Sequence, residues 1–257
     1  MTKNPQLKRL LYLTAAFIVL ELLIQQVFVH AIVNWSFYHF HLTQLQANFI
    51  FKMVEVAVVL GLNYFLTKQK IYFKESFTWS GLAFWIVVIA LAIPYFSAQN
   101  PVASFATGAM GGFSEEFLAR GVLLGMFLTY FLKQSDGKKG AFRAVFYSNL
   151  IFALMHLTNL SHASLGITLL QCFIAFWAGI SYAIAYVTFG SIWPAIALHF
   201  LDDVIAEAVM SNAILAGHLN QGFAILKILV IVIPIIYLLV TKKKSAIVRK
   251  INADTIK

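Results

Sequence analysis

Acidic residues inside apolar stretches are the side chains of this sequence most able to do chemistry. Of the ten Asp and Glu residues, seven lie inside or at the ends of long apolar runs. They are Glu21, Glu55, Glu115, Glu116, Asp202, Asp203 and Glu207. An acid near the centre of a membrane-spanning helix costs roughly 2.5–3.5 kcal/mol on insertion scales, so it needs a partner or a proton. Glu21 and Glu55 stand alone, which predicts a protonated or hydrogen-bonded side chain, whereas the other five group with an arginine and a histidine.

The first group is Glu115, Glu116 and Arg120. Glu116 and Arg120 stand at i and i+4, which predicts an ion pair on one helix face, and Glu115 is rotated from it by about 100°. This pattern favours one structural glutamate and one free to react. We expect Gly111 and Gly112 to break the preceding segment, and Ser114 to cap the helix that follows. Simple capping acids are the alternative, but capping does not explain an arginine inside an apolar run.

Two histidines complete the polar set. His156 lies one turn after Phe152, and a lone histidine in an apolar helix is more often a satisfied core residue than a functional one. His199 and Asp203 stand at i and i+4 and share a helix face, in a segment whose Pro194 suits a first helical turn. Histidines and carboxylates on three apolar segments predict a polar site with apolar walls. A carboxylate paired with imidazole can act as a general base and return its proton to a leaving amine.

Apolar helices of spanning length must position these groups. Apolar residues make up 61% of the 257 residues and charged residues 11%, against roughly 25% charged in a soluble domain. Eight apolar runs are long enough to span a bilayer. They cover about 10–31, 46–66, 79–98, 113–132, 143–158, 165–188, 192–210 and 223–241. The prediction is an all-α, polytopic membrane bundle of about eight transmembrane helices.

The basic residues predict the orientation of this bundle. Sixteen of the nineteen Lys and Arg residues lie in the N-terminus, the second and fourth connections and the C-terminal tail. The positive-inside rule then predicts a multi-pass protein of the cell membrane with both termini in the cytoplasm. The formal charge of +9 therefore orients the protein in the lipid bilayer and does not indicate nucleic-acid binding. These spans place Glu115 and His156 nearer the outer face.

The three motifs together resemble a known family. They read Glu-Glu-x-x-x-Arg at 115–120, Phe-x-x-x-His at 152–156 and His-x-x-x-Asp at 199–203. In this order on polytopic helices they resemble the CAAX protease and bacteriocin-processing family (CPBP, Abi) of intramembrane endopeptidases, which includes the Ras-converting CAAX endopeptidases. Many members in lactic acid bacteria are linked to bacteriocin self-immunity. The resemblance suggests N-terminal transmembrane helices over 1–99, a catalytic core over 100–210, and a last helix with a basic tail over 211–257.

The resemblance implies a catalytic set and a role for each member. The set is Glu115, Glu116, Arg120, His156, His199 and Asp203. Glu115 with His156 would activate a water molecule, and His199 with the residue at 203 would stabilise the oxyanion. An ionised Asp203 only accepts hydrogen bonds, so it is protonated, orients His199, or binds a metal.

Whether the site holds a metal stays open in the sequence. Glu115, His156 and His199 would suit a catalytic zinc site with an open water position. The best-described branch of the family is argued to be glutamate-dependent without metal. We therefore predict no firmly bound cofactor, with a divalent metal such as zinc as the alternative.

The predicted function is an endopeptidase acting on a peptide or membrane-protein substrate in the bilayer, serving bacteriocin self-immunity or peptide processing. The alternative is a non-catalytic membrane immunity protein that blocks a bacteriocin or its receptor. A third hypothesis is a small transporter that uses the buried acids as a proton relay.

Overall fold

The structure is a computed structural model that describes residues 4–74, 78–96, 100–135, 137–211 and 245–255. Within these ranges the chain is helical and contains no strand, which confirms the all-α prediction. Four of the described helices are long and apolar enough to cross a membrane. They are Pro5–His39, Gln44–Thr67, Gly137–Ser161 and Leu165–Phe189. The protein is a multi-pass membrane helix bundle, and the eighth predicted span, 223–241, lies outside the described residues.

The helices follow one another closely along the chain. They are α1 (Pro5–Ile24), α2 (His30–His39), α3 (Gln44–Leu62), α4 (Trp79–Phe96), α5 (Pro101–Glu116), α6 (Gly125–Gln134), α7 (Gly137–Met155), α8 (Leu165–Phe189), α9 (Trp193–Ser211) and α10 (Ala246–Thr255). Segments of π-helix join or extend some of them, at Gln25–Val29, Asn63–Thr67 and Phe117–Leu124, and a 3₁₀ turn, His156–Ser161, follows α7. Such π segments are common at functional sites.

Local sequence signals fix several helix ends. The Asn4 side chain accepts hydrogen bonds from the first turn of α1 and is followed by proline, a residue favoured at the first helical position. Thr43 and Gln46 form a capping box at the start of α3. Asn100 caps α5, and Gly190 ends α8 with a φ of 67°, a left-handed conformation that favours glycine.

The predicted start of the fourth span is wrong. The helix begins at Pro101, continues through the π segment and ends at Gln134, so Gly111 and Gly112 do not break it. Ser114 is not an N-cap, because its hydroxyl donates to the carbonyl of Met110 one turn earlier. Glu115 consequently follows Pro101 by 14 residues, or about 21 Å of helix, and does not lie near the end of this helix.

Glycines in α5 allow close packing against α9. A Cβ atom on Gly108 would lie 2.6 Å from Val204 Cγ2, and one on Gly112 would lie 3.0 Å from the carbonyl oxygen of Ile196. Small residues at such positions let two helix backbones approach each other within a membrane. The glycines that suggested a helix break therefore form a packing surface, which brings the Glu115 motif beside the His199 motif.

Both described ends of the chain meet the basic connections at one end of the bundle. Asn4 donates to Tyr130 Oη near the end of α6, at 3.2 Å. Lys70 forms an ion pair with Asp254 of α10, at 2.9 Å, and Tyr72 donates to the same carboxylate at 2.7 Å. Burial and the neighbouring Asp254 raise the pKa of Tyr72. The described N- and C-terminal residues therefore lie at the same end of the bundle as the basic connections, as the distribution of Lys and Arg predicts. The cytoplasmic location of this end stays a prediction.

Candidate active site

A fully buried ion pair lies at the centre of the site. Arg120 Nη1 donates to Glu116 Oε1 at 2.8 Å, and the two side chains are 1% and 0% exposed. The i, i+4 spacing of the sequence places them on one face, although Arg120 itself lies in the π segment. Each side chain supplies the counter-charge of the other. The pair can therefore be buried in an apolar interior, where a single charge would be strongly unfavourable.

Arg120 is held from two further helices. Its Nη2 donates to Asn149 Oδ1 of α7 at 2.9 Å and to the Gly179 carbonyl of α8 at 2.6 Å. The guanidinium carbon lies 5.2 Å from the ring centre of Phe152 and 5.3 Å from that of Tyr182. A guanidinium between two aromatic faces gains cation–π attraction. Arg120 therefore ties the helix that carries Glu116 to α7 and α8.

His199 joins this pair from α9. Its Nδ1 lies 2.7 Å from Glu116 Oε1, and since a carboxylate only accepts, Nδ1–H is the donor. The imidazole stacks on Tyr182, with ring centres 4.8 Å apart. The other ring nitrogen, Nε2, lies 3.7 Å from Asp203 Oδ2 and 3.9 Å from Glu115 Oε2. One side of the imidazole is thus anchored, and the other side faces two carboxylates.

Gly111 makes room for this arrangement. A Cβ atom at this position would lie 1.9 Å from Asp203 Oδ2 and 3.2 Å from His199 Nε2. A larger residue would displace the Asp203 carboxylate, so glycine allows the observed approach of α5 to the polar face of α9.

Glu115 connects this cluster with a large cavity. Its carboxylate faces His199 through Oε2, while Oε1 lies 3.6 Å from Lys52 Nζ of α3. The side chain is 25% exposed and lines a cavity of about 800 Å³. Of the two neighbouring glutamates, Glu116 is therefore sealed and Glu115 reaches accessible space, as the rotation between them predicts.

His156 lines the same cavity as Glu115. It is the first residue of the 3₁₀ turn after α7, and its ring lies edge-on to Phe152 with ring centres 5.0 Å apart. Its Nδ1 lies 3.1 Å from the Phe152 carbonyl. Because a carbonyl only accepts, Nδ1 carries the proton in this contact, which leaves Nε2 as an acceptor in the neutral ring.

The comparison with known proteins decides the family of this segment. Residues 97–205 match the family model described as type II CAAX prenyl endopeptidase Rce1-like. These residues belong to that family. The Rce1-like segment contains α5 to α8 and most of α9, and it carries all six side chains of the predicted catalytic set. Neither the search of curated proteins nor that of solved structures gave a significant match.

The metal alternative depends on how Glu115, His156 and His199 are arranged. Within the described part of the chain, no group of three or more His, Cys, Asp and Glu side chains is arranged to hold a metal ion. Glu115, which would be a ligand together with His156 and His199, instead has the Lys52 ammonium 3.6 Å away. A cation at that distance competes with a metal for the same carboxylate.

Sequence reasoning missed some side chains that complete the site. Asn149 and Tyr182 are neutral polar residues on apolar helices, and nothing local in the sequence distinguishes them. Lys52 carried a signal, because it is one of only three bases outside the basic ends and connections, together with Arg120 and Lys227. Lys227 lies outside the described residues.

Proposed function

We propose that the chain is an intramembrane endopeptidase in which Glu115 and His156 activate a water molecule. The observation that carries the proposal is the placement of Glu115, which lines the same cavity as His156 and also faces His199. Membership of the Rce1-like family supports proteolysis in general, with a peptide or protein as substrate. The catalytic roles below are our proposal for this chain.

In the first step the Glu115 carboxylate accepts a proton from water, and the water oxygen forms a bond with the scissile carbonyl carbon. The carbonyl electron pair moves to oxygen and gives a tetrahedral oxyanion. His156 Nε2 accepts a hydrogen bond from the same water and orients it. The proton held by Glu115 then passes to the amide nitrogen as the C–N bond breaks, so an acid and an amine leave and Glu115 is restored.

His199 stabilises the oxyanion, and Asp203 assists it. With Nδ1–H bound to Glu116, a doubly protonated His199 presents Nε2–H as the donor for the developing charge. Preorganised donors at an oxyanion are usually the largest single contribution to catalysis. An ionised Asp203 only accepts hydrogen bonds, so its position 3.7 Å from Nε2 supports a role in orienting the ring.

Arg120 and Glu116 act as positioning residues. Arg120 holds Glu116, and Glu116 holds His199, through contacts of 2.8 and 2.7 Å. Both side chains are buried away from the cavity, so neither needs to touch the substrate.

For the physiological role we propose bacteriocin self-immunity or peptide processing. The cavity reaches the end of the bundle formed by Tyr38, Gln44 and His162. Tyr38 lies at the far end of the long first helix from Asn4, so this end is opposite the termini. If the termini are cytoplasmic, as the basic residues predict, the cavity faces the outside, where a bacteriocin meets the cell.

The test is cleavage of a peptide library by the purified protein in detergent, read by mass spectrometry. Glu115→Gln, His156→Ala and His199→Ala should each lower the rate by about 10²–10⁴-fold, the usual contribution of acid–base groups. Glu207→Gln, an acid of α9 that is not among the described cavity-lining residues, is the matched control. Equal activity in all four folded variants would contradict the proposal.

Two further measurements separate the alternatives. Activity that survives a strong zinc chelator supports the water mechanism without metal, whereas loss in chelator with recovery on added zinc would contradict it. Cells that carry Glu115→Gln and keep full protection from a bacteriocin would favour the non-catalytic immunity protein, because blocking a toxin or its receptor needs no general base.

A further inference from the structure

Part of the cavity wall comes from outside the Rce1-like segment. Glu21 of α1 and Lys52 and Glu55 of α3 line it, together with polar side chains of α2, α3 and the π segment between α1 and α2. Those neutral polar lining residues include Gln25, Gln26, Asn34, Gln44 and Asn48. The proposed mechanism uses none of them, so this wall is available to select the substrate.

The acidic side chains that line the cavity differ in whether they have an ion-pair partner. Lys52 Nζ lies 3.0 Å from Glu55 Oε2 and 3.6 Å from Glu115 Oε1, so one ammonium serves two carboxylates. Glu21 is the third acid that lines the cavity. The described lining contains three carboxyl groups and one ammonium, besides the imidazoles of His30, His156 and His162, and Glu21 is the acid that has no ion pair with Lys52 within 4.0 Å.

Glu21 also keeps an unsatisfied oxygen. Its side chain is 1% exposed, and its Oε1 accepts a hydrogen bond from the Gln25 amide one turn later. Its Oε2 is buried and has no hydrogen-bond partner among the described residues. A buried carboxylate oxygen without a donor is unfavourable, because it has lost water and gained nothing in exchange. A π segment, Gln25–Val29, begins directly after this turn, as π segments often do at functional sites.

We propose that Glu21 is the subsite for a cationic group of the substrate, an ammonium or a guanidinium, which docks beside the scissile bond. This inference rests on the proposed endopeptidase function and names the class of its substrate. A cationic donor would satisfy Oε2 and give Glu21 the ion pair that Lys52 gives to Glu55 and Glu115. The lining is mixed: its amide side chains can bind the backbone of an extended peptide, while Leu22, Phe37 and Phe51 offer apolar contacts to its side chains.

The test uses two libraries of acetylated decapeptides that carry either one lysine or one norleucine at a fixed central position. Norleucine keeps the length of the lysine side chain and removes its charge. Binding is measured on the Glu115→Gln protein, which keeps the cavity but lacks the proposed base, and cleavage is measured on the wild-type protein. A third library with norleucine and a free α-amino group distinguishes a terminal ammonium from a side-chain ammonium.

The expected result is at least tenfold tighter binding of one ammonium-bearing library than of the acetylated norleucine library, about 1.4 kcal/mol. Adding Glu21→Gln should remove this preference without weakening the binding of the neutral library, and Glu207→Gln should leave it unchanged. Equal binding of all three libraries, or a preference that survives Glu21→Gln, would overturn the subsite. Selective binding without any cleavage by the wild-type protein would support the subsite and contradict the endopeptidase function instead.

Discussion

Replacing Gly111 by alanine tests whether the close approach of α5 and α9 positions the catalytic groups. The added Cβ would lie 1.9 Å from Asp203 Oδ2, whereas an ordinary carbon–oxygen contact is about 3.3 Å. The carboxylate or the helix must therefore move by about 1.4 Å. A displacement of about 1 Å at a reacting group can lower the rate about 10²-fold, which is about 2.7 kcal/mol of transition-state stabilisation.

The assay is peptide cleavage and thermal unfolding of the purified protein. Gly111→Ala should lose about 10²-fold in kcat/KM, with a loss of stability of about 1–3 kcal/mol from overpacking. Gly61→Ala is the matched control, because a Cβ atom there meets nothing within 4 Å. Alanine should be tolerated or mildly stabilising at that helical position.

A second substitution isolates the contact with the carboxylate. Asp203→Ala removes the atom that the new Cβ would strike, so Gly111→Ala should cost little in that background. The double variant should match Asp203→Ala to within about 0.5 kcal/mol, since the contact that remains, 3.2 Å from the new Cβ to His199 Nε2, needs only a small shift to relieve. Wild-type kcat/KM in folded Gly111→Ala, or additive losses in the double variant, would refute the assignment of Gly111 to this role.

Three further predictions concern other parts of the molecule. Arg120→Ala leaves buried Glu116 without its counter-charge and should lower the free energy of unfolding by about 3–5 kcal/mol, as measured by thermal unfolding. Arg120→Lys should recover only part of that stability, because one ammonium cannot reach all three acceptors. Tyr72→Phe should cost about 1 kcal/mol of stability below pH of about 10. Since the Tyr72 pKa is raised by folding, that contribution is lost as pH rises further and the two proteins should converge in stability. In a cysteine-free background, Ser161→Cys should react with a membrane-impermeant maleimide on intact cells and Ser135→Cys only after permeabilisation, and the reverse pattern would contradict the predicted orientation.

The helices could be predicted from the sequence because their cause is local and repetitive. Runs of apolar residues long enough to span a bilayer predict helices, since the backbone has no other hydrogen-bond partners in lipid. The beginning of α5 could not be predicted in this way. Gly111 and Gly112 have low intrinsic helix propensity, but contact with α9, more than eighty residues later in the chain, outweighs that preference.

Only the part of the site that depends on local spacing could be predicted from the sequence. The spacing of Glu116 and Arg120 on one helix is enough to predict their ion pair, which the structure contains. His199 and Glu116 are 83 residues apart in the chain and join α9 to α5. Lys52 and Glu115 join α3 to α5. No local pattern encodes such a pair, so the sequence offered only the residue types and left their partners open.

In the proposed mechanism the two adjacent glutamates divide positioning from proton transfer, and two bases, the buried Arg120 and the partly exposed Lys52, make this division possible. Arg120 compensates Glu116, which is sealed and can hold His199 in one orientation. Lys52 compensates Glu115 from a different helix and at a longer distance, 3.6 Å, and the carboxylate remains in the cavity. A tightly hydrogen-bonded carboxylate holds its partner in place but exchanges protons poorly. A loosely paired and partly exposed carboxylate is free to exchange protons with water. The Glu116–Arg120 pair lies within the Rce1-like segment and Lys52 lies outside it, so a helix that precedes this segment and lines the cavity also sets the environment of the proposed base.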